Sequence, residues 1–131
     1  MMKSNGYLLD TNVLVSYIQD DPEVLRHISI AEGLYMSTVA IGELYYGAER
    51  SINVAKGLAD VHELEQLFSI LTVDLMIART YGRLRNEQNK KGRSLPANDL
   101  WIAATALRHG LTLITRDQHF TSIEKLSLEQ W

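Results

Sequence analysis

Short apolar segments alternate with longer segments of helical periodicity along the whole chain. The apolar segments have the length of β-strands, and five are predicted, at residues 7–9, 34–37, 69–73, 111–115 and 125–128. Helical spacing or composition predicts helices at residues 13–19, 39–50, 54–68, 75–91 and 99–109. The polar segments 20–22 and 91–94 between these elements are typical of loops.

This alternation of strands and helices predicts an α/β fold. Parallel strands joined by right-handed helical crossovers form a sheet that is covered on both faces. We therefore expect a three-layer α/β/α domain with a parallel sheet of about five strands. At 131 residues and 46% hydrophobic content, the sequence has the size of one domain, spanning residues 1–131. A ligand site is expected beyond the carboxyl ends of the strands.

Four acidic residues stand at conspicuous places in this pattern: Asp10, Glu43, Asp99 and Asp117. Asp10 ends the first strand, Asp117 follows the fourth, and the other two lie within predicted helices. The residues three, four and seven positions after Asp99 are all apolar, so this carboxylate continues a helix face that is directed toward the sheet. The four carboxylates are therefore predicted to converge.

A cluster of like charges opposes folding unless a cation binds there, because each carboxylate raises the pKa of its neighbours and burial adds a further cost. Oxygen ligands suit Mg²⁺ or Mn²⁺. The sequence has no cysteine, and its four histidines are scattered and are interpreted as surface or cap residues: His27, His62, His109 and His119. The pattern predicts one or two divalent cations rather than zinc. Each aspartate has a structural alternative, because Asp is also a favoured helix N-cap. For Glu43 the alternative is an ion pair with Arg50 or with an arginine that is distant in the sequence.

The charge distribution indicates a polyanionic partner more clearly than the net charge of −3 does. Basic residues accumulate between positions 79 and 93, directly before the segment that contains Asp99, and are candidates for contacts with the backbone of a polyanion: Arg79, Arg83, Arg85, Lys90, Lys91 and Arg93. A solvated helix face explains them equally well. We expect a cytoplasmic protein without a signal peptide or a membrane span.

Four motifs in order resemble the PIN domain, and particularly the VapC-type ribonuclease toxins of type II toxin-antitoxin systems. They are Leu-Leu-Asp-Thr-Asn-Val-Leu at 8–14, Ile-Gly-Glu-Leu-Tyr-Tyr-Gly at 41–47, Asn-Asp-Leu-Trp-Ile-Ala-Ala-Thr-Ala at 98–106, and Leu-Ile-Thr-Arg-Asp at 113–117. The resemblance implies that the four acids are the catalytic and metal-binding quartet of a Mg²⁺- or Mn²⁺-dependent endoribonuclease. Metal-activated water would hydrolyse the phosphodiester bonds of tRNA or rRNA. The supporting polar positions are Thr11, Asn12 and Thr115.

The resemblance also implies partners. Family members form homodimers, and a VapB-type antitoxin neutralises them by placing its C-terminal segment in the active-site groove, often with a basic side chain among the acids. Tyr45, Tyr46 and Trp101 are candidates for either interface.

Two other classes remain open at this point. An aspartate-based phosphotransfer domain also carries Asp after its first strand, but a phosphatase of that kind needs a second Asp where Asn12 stands. A receiver domain needs an acidic pair before the nucleophile and a Lys after a late strand, where this sequence has Arg116-Asp117. A non-catalytic PIN-like protein that binds metal or RNA would use the same acids structurally.

Overall fold

The computed structural model describes residues 5–131, which form five strands, six α-helices and one short 3₁₀-helix. The strands are β1 Tyr7–Leu9, β2 Leu34–Ser37, β3 Ser69–Leu71, β4 Thr112–Ile114 and β5 Leu128–Glu129. The helices are α1 Thr11–Ile18, α2 Pro22–Ile30, α3 Thr38–Glu49, α4 Val54–Leu67, α5 Leu75–Lys90 and α6 Ala97–His109, with the 3₁₀-helix at Gln118–Ser122.

The strands form one sheet in the order β3-β2-β1-β4-β5, and every neighbouring pair is parallel. Helices cover both faces, which confirms the predicted three-layer α/β/α architecture. The chain order of the strands reverses between β1 and β4, so this pair is the topological switch point at which ligands bind in open α/β sheets. The three residues of β1 pair in register with those of β4, Leu9 opposite Ile114.

The core lies between the central strands and the helices. Leu8, Leu9 and Leu113 are fully buried, and most of α6 is buried as well, because its run of alanines allows the helix to approach the sheet closely. The helix ends at Gly110, whose φ of 65° is the left-handed conformation that glycine adopts without strain. The beginning of α6 is therefore held firmly beside the carboxyl ends of the strands.

Helix α2 is the one α-helix that the sequence pattern did not predict. Residues 20–22 were interpreted as a loop, but Asp21 accepts hydrogen bonds from the backbone of Glu23 and Val24, and Pro22 occupies the first helical position. Val24 is its only buried residue, so α2 contributes little to the core. Three strands also differ in extent: β3 ends at Leu71 rather than at residue 73, β4 is Thr112–Ile114 rather than 111–115, and β5 is shifted to Leu128–Glu129.

None of the helices in the described part of the chain has both the length and the apolar character needed to cross a membrane.

Candidate metal centre

Asp10 and Thr115 lie side by side because β1 and β4 are paired and end together. The backbone N–H of Asp10 donates to the carbonyl of Ile114 at 2.9 Å, which continues the strand pairing by one residue. The Thr115 hydroxyl then donates to Asp10 Oδ2 at 2.8 Å, and the backbone N–H of Thr11 donates to Oδ1 at 2.8 Å. Both oxygens of the carboxylate are thus held in fixed positions.

Burial raises the pKa of Asp10 above its usual value. The hydrogen bonds from Thr115 and Thr11 oppose this effect, and the nearby negative charges of Glu43 and Asp117 add to it. A cation at this point would relieve both the burial cost and the repulsion.

Glu43 reaches the same place from the middle of α3. The Thr11 hydroxyl donates to Glu43 Oε1 at 2.8 Å, so Thr11 joins the first two acids through its backbone and its side chain. The side-chain amide of Asn98 donates to Glu43 Oε2 at 2.6 Å and ties α3 to the first turn of α6. Asn98 was not among the predicted site residues, although it directly precedes Asp99.

Asp99 lies in the first turn of α6 but does not cap that helix. The N-cap residue is Pro96, and no side chain forms a capping hydrogen bond there. Burial, and after it the negative charges of three neighbouring carboxylates, raise the pKa of Asp99 to about 6. The carboxylates are, in decreasing order of effect, Asp10, Asp117 and Glu43. His119 lowers the pKa of Asp99 and so opposes this rise. The capping alternative therefore does not explain Asp99, whereas a cation would.

Asp117 stands at the end of the turn that follows β4. Its backbone N–H donates to the Thr115 hydroxyl at 3.0 Å, and its Oδ1 accepts from the backbone N–H of His119 at 2.9 Å, which caps the 3₁₀-helix. Capping thus accounts for part of the role of Asp117. The carboxylate also lies with Asp99 and His119 in a group whose potential ligand atoms are all within 4.8 Å of one another.

The donor set fits a divalent cation. Within residues 5–131, Asp10, Glu43 and Asp99 form no ion pair with a lysine or an arginine, so the predicted alternative of an ion pair between Glu43 and Arg50 is not found. Arg116 is close in sequence, but its guanidinium is bound to Asp21 at 3.0 Å and to the carbonyl of Trp131 at 2.9 Å. Among the described residues no lysine or arginine therefore neutralises Asp10, Glu43 or Asp99, and a bound cation would do so.

A model of the PIN domain matches residues 7–126 of the chain. The chain belongs to the PIN domain family.

Curated relatives of this PIN domain include ribonuclease VapC2 of Haemophilus influenzae, which is 31% identical over 128 residues, covering 95% of this chain and 97% of the relative. The tRNA(fMet)-specific endonuclease VapC of Shigella flexneri is 30% identical over 128 residues, with the same coverage. Among solved structures, DNA-bound VapBC from Salmonella typhimurium has a TM-score of 0.87 and 30% identity, covering 96% of this chain and 98% of that chain.

The six basic residues predicted to bind RNA do not form one surface of the PIN domain. Arg79, Arg83 and Lys90 lie within about 40° of one another around α5, at 100° per residue. Arg85 is on the other side of the helix, where it donates to the Tyr81 hydroxyl at 2.7 Å, and Lys91 pairs with Glu124 at 3.4 Å. Arg93, which follows α5, lines a small cleft together with His119.

The other predicted supporting residue, Asn12, is exposed, and its carbonyl accepts a hydrogen bond from Ser16. The contacts found among the described residues do not join its side chain to the acids. Thr11 and Thr115 contact the acids directly, as described above. The interpretation of His119 as a surface residue is right about its exposure, but His119 is also part of the acidic centre.

The aromatic interface candidates differ in how far they are engaged inside the chain. The Tyr45 hydroxyl donates to Glu65, and Trp101 stacks on Tyr81 with 3.7 Å between ring centroids. Tyr46 is 64% exposed. Tyr46 is therefore the aromatic side chain most available for contact with another molecule.

Proposed function

We propose that this chain is a divalent-metal-dependent endoribonuclease and the toxin of a VapBC-type toxin-antitoxin pair, and that residues 1–131 act as a single PIN domain. The observation that carries the proposal is the convergence of four carboxylates at the switch point of the sheet, in a PIN domain whose relatives are ribonucleases. We assign the catalytic and metal-binding roles to Asp10, Glu43, Asp99 and Asp117.

We propose Mg²⁺ or Mn²⁺ as the cofactor, as one or two ions, held by Asp10 and Asp99 with Glu43 and Asp117 binding directly or through water. When bound, such an ion lowers the pKa of water and neutralises the charge that develops on a phosphate. The protein contributes the positions. Thr115 and Thr11 fix the carboxylate of Asp10, while Thr11 and Asn98 fix that of Glu43.

The substrate class follows from the chemistry and the relatives. Hydroxide attack on a phosphodiester needs no side-chain nucleophile, and the sequence has no cysteine that would supply one. Arg93, which shares a cleft with His119, is our candidate for holding an RNA backbone beside the acids, and Arg79, Arg83 and Lys90 on one side of α5 are candidates for more distant backbone contacts. We propose tRNA or ribosomal RNA as the substrate and the cytoplasm as the place of action.

An apolar groove beside the acids supports an antitoxin partner. Helices α1, α3 and α4 enclose about 350 Å³, lined by apolar side chains such as Val15, Ile18 and Leu44, and Thr11 and Glu43 belong to the same lining. An apolar antitoxin segment in this groove would extend directly to the acids and block them. VapBC complexes are among the structures that this chain resembles.

A matched pair of variants tests that groove. Val15 lines the groove and Val54 does not, yet both are 36% exposed. Val15→Asp is expected to weaken binding of the cognate VapB-type antitoxin at least about tenfold, because a charge would be buried in an apolar contact. Val54→Asp should bind as the wild type does. Equal affinities for the two variants would place the antitoxin elsewhere.

The enzymatic proposal is tested by incubating antitoxin-free protein with total tRNA and ribosomal RNA in Mn²⁺, in Mg²⁺ and in chelator. Asp99→Asn, purified identically, controls for contaminating ribonuclease. Cleavage that requires both metal and Asp99 is the expected result. Metal binding without cleavage of any RNA would favour the non-catalytic alternative.

A further inference from the structure

His119 is exposed, yet its backbone position is firmly determined. Its N–H donates to Asp117 Oδ1, its carbonyl accepts from the Ser122 hydroxyl at 3.2 Å, and the next residue, Phe120, is fully buried. Gln88, buried inside α5, donates to the same Ser122 hydroxyl at 2.8 Å. The 3₁₀-helix that carries the imidazole is therefore fastened to the core.

The imidazole of His119 points to the acids. Its Nδ1 lies 2.9 Å from Asp117 Oδ1 and 3.2 Å from Oδ2. One ligand atom each from Asp99, Asp117 and His119 can be chosen so that all three are within 4.8 Å of one another. Ligands that each lie about 2.0–2.2 Å from an ion are separated by up to about 4.4 Å. The limit of 4.8 Å is close to this value, so the three side chains are near the spacing that one shared cation requires.

We propose that His119 is a nitrogen ligand of the cation held by Asp99 and Asp117, and that this ligand favours transition-metal ions such as Mn²⁺ over Mg²⁺. This inference rests on the metal centre assigned under the proposed function. Mg²⁺ is a hard ion that takes oxygen ligands, whereas imidazole suits first-row transition ions such as Fe²⁺, Ni²⁺ and Zn²⁺. Mn²⁺ shares the affinity of Mg²⁺ for carboxylates but, as a transition ion, gains more than Mg²⁺ from an added nitrogen ligand. A centre made of carboxylates alone discriminates less between them. The histidine thus determines which metal occupies the site.

The competing explanation is that His119 only forms an ion pair with Asp117. The chain contains a matched control for this, because His62 pairs with Glu65 at 3.5 Å. The side chains of that pair are 68% and 28% exposed, against 69% and 29% for His119 and Asp117. The His62 pair is not part of any group of three potential metal ligands found among residues 5–131. Removing either histidine removes a similar surface ion pair, and His62→Ala additionally loses the contact of His62 with Tyr45. A loss of metal binding in His119→Ala that is absent in His62→Ala therefore indicates a ligand role.

The test uses antitoxin-free protein without a histidine tag, and compares the wild type with His119→Ala and His62→Ala. Pulsed electron paramagnetic resonance of bound Mn²⁺ should show ¹⁴N coupling in the wild type and in His62→Ala, and none in His119→Ala. Calorimetry should show that His119→Ala weakens Mn²⁺ binding at least about tenfold and changes Mg²⁺ binding less than about threefold. A tenfold loss is the lower end of the effect that removal of a supporting group has on the affinity of a metal site.

Two results would overturn the inference: Mn²⁺ bound to the wild type without ¹⁴N coupling, or coupling that persists in His119→Ala. Equal losses for Mn²⁺ and Mg²⁺ would also contradict it, since they would indicate a general electrostatic or folding effect. If the wild type binds Mn²⁺ without nitrogen coupling and still cleaves RNA, the ligand assignment fails and the proposed function stands. If the wild type binds no divalent ion, both fail.

Discussion

Asp99→Asn is expected to stabilise the metal-free protein, although it removes a residue assigned to the active centre. Asp99 has a pKa of about 6 in the folded protein against an ordinary value of 3.8. Because the folded pKa is the higher one, the folded state binds more protons than the unfolded state between these values. The stability that protonation of Asp99 contributes to the folded state is therefore fully present below about pH 4, and it is lost as the pH rises through about 6.

The size of the effect follows from the pKa difference. At about 1.4 kcal/mol for each tenfold change in proton affinity, the rise from 3.8 to about 6 corresponds to about 3 kcal/mol for a fully buried group. Asp99 is only partly buried, and solvent screening reduces the cost. We therefore expect Asp99→Asn to raise the free energy of unfolding by about 1–2 kcal/mol above pH 7, and by almost nothing near pH 4.

Urea denaturation in chelator at pH 4 and pH 8 measures the difference in free energy of unfolding between the wild type and Asp99→Asn. The control is Glu63→Gln, which also removes one acidic group but lies on the exposed surface of α4. Saturating metal should reverse the order, because an ion at 100 times its dissociation constant stabilises the wild type by about 2.7 kcal/mol and the variant by less. A variant that is less stable than the wild type in chelator at pH 8, or a difference that does not change with pH, would refute the reasoning.

Three further substitutions test the support of the site and its surroundings. Thr11→Val should keep the fold and lower the rate of RNA cleavage about 10–100-fold, because it removes the hydrogen bond that fixes Glu43; an unchanged rate would remove Thr11 from the site. Trp131→Ala should lower the free energy of unfolding in urea by about 3 kcal/mol, because Trp131 is buried and stacked on His27; a loss below about 1 kcal/mol would contradict that packing. Tyr46→Glu should shift the predicted homodimer to monomer in light scattering, and an unchanged mass would exclude Tyr46 from the interface.

The architecture was predictable because its strands and most of its helices have strong hydrophobic patterns. The central strands β1, β2 and β4 are short and largely apolar, and α6 presents a continuous apolar face that includes Ile102 and Ala103. The edge strand β5, which is only Leu128–Glu129, has no such pattern. Helix α2 escaped prediction because it buries one residue and begins with Asp21-Pro22, which are equally common in loops and at helix starts. The order of the strands was not predicted either, because it depends on which crossovers pass over which face.

The four acids could be proposed from the sequence because each follows an apolar strand or lies on an apolar helix face, although Asp10 and Asp117 also cap the helices that follow them. Asn98 and His119 carry no such signal. Each is a polar residue in the first turn of a helical segment, where polar side chains are ordinary. Their importance arises only from the distances to Glu43 and Asp117 in the folded chain.

The central claim is that this carboxylate centre uses water to hydrolyse RNA. The most direct measurement is mass spectrometry of the earliest RNA products formed with Mn²⁺ in H₂¹⁸O, for the wild type and Asp99→Asn. Hydrolysis by water should place one ¹⁸O in a linear terminal phosphate and leave no 2′,3′-cyclic phosphate, and the variant should give no product. Cyclic phosphate ends, or equal cleavage by Asp99→Asn, would contradict the central claim.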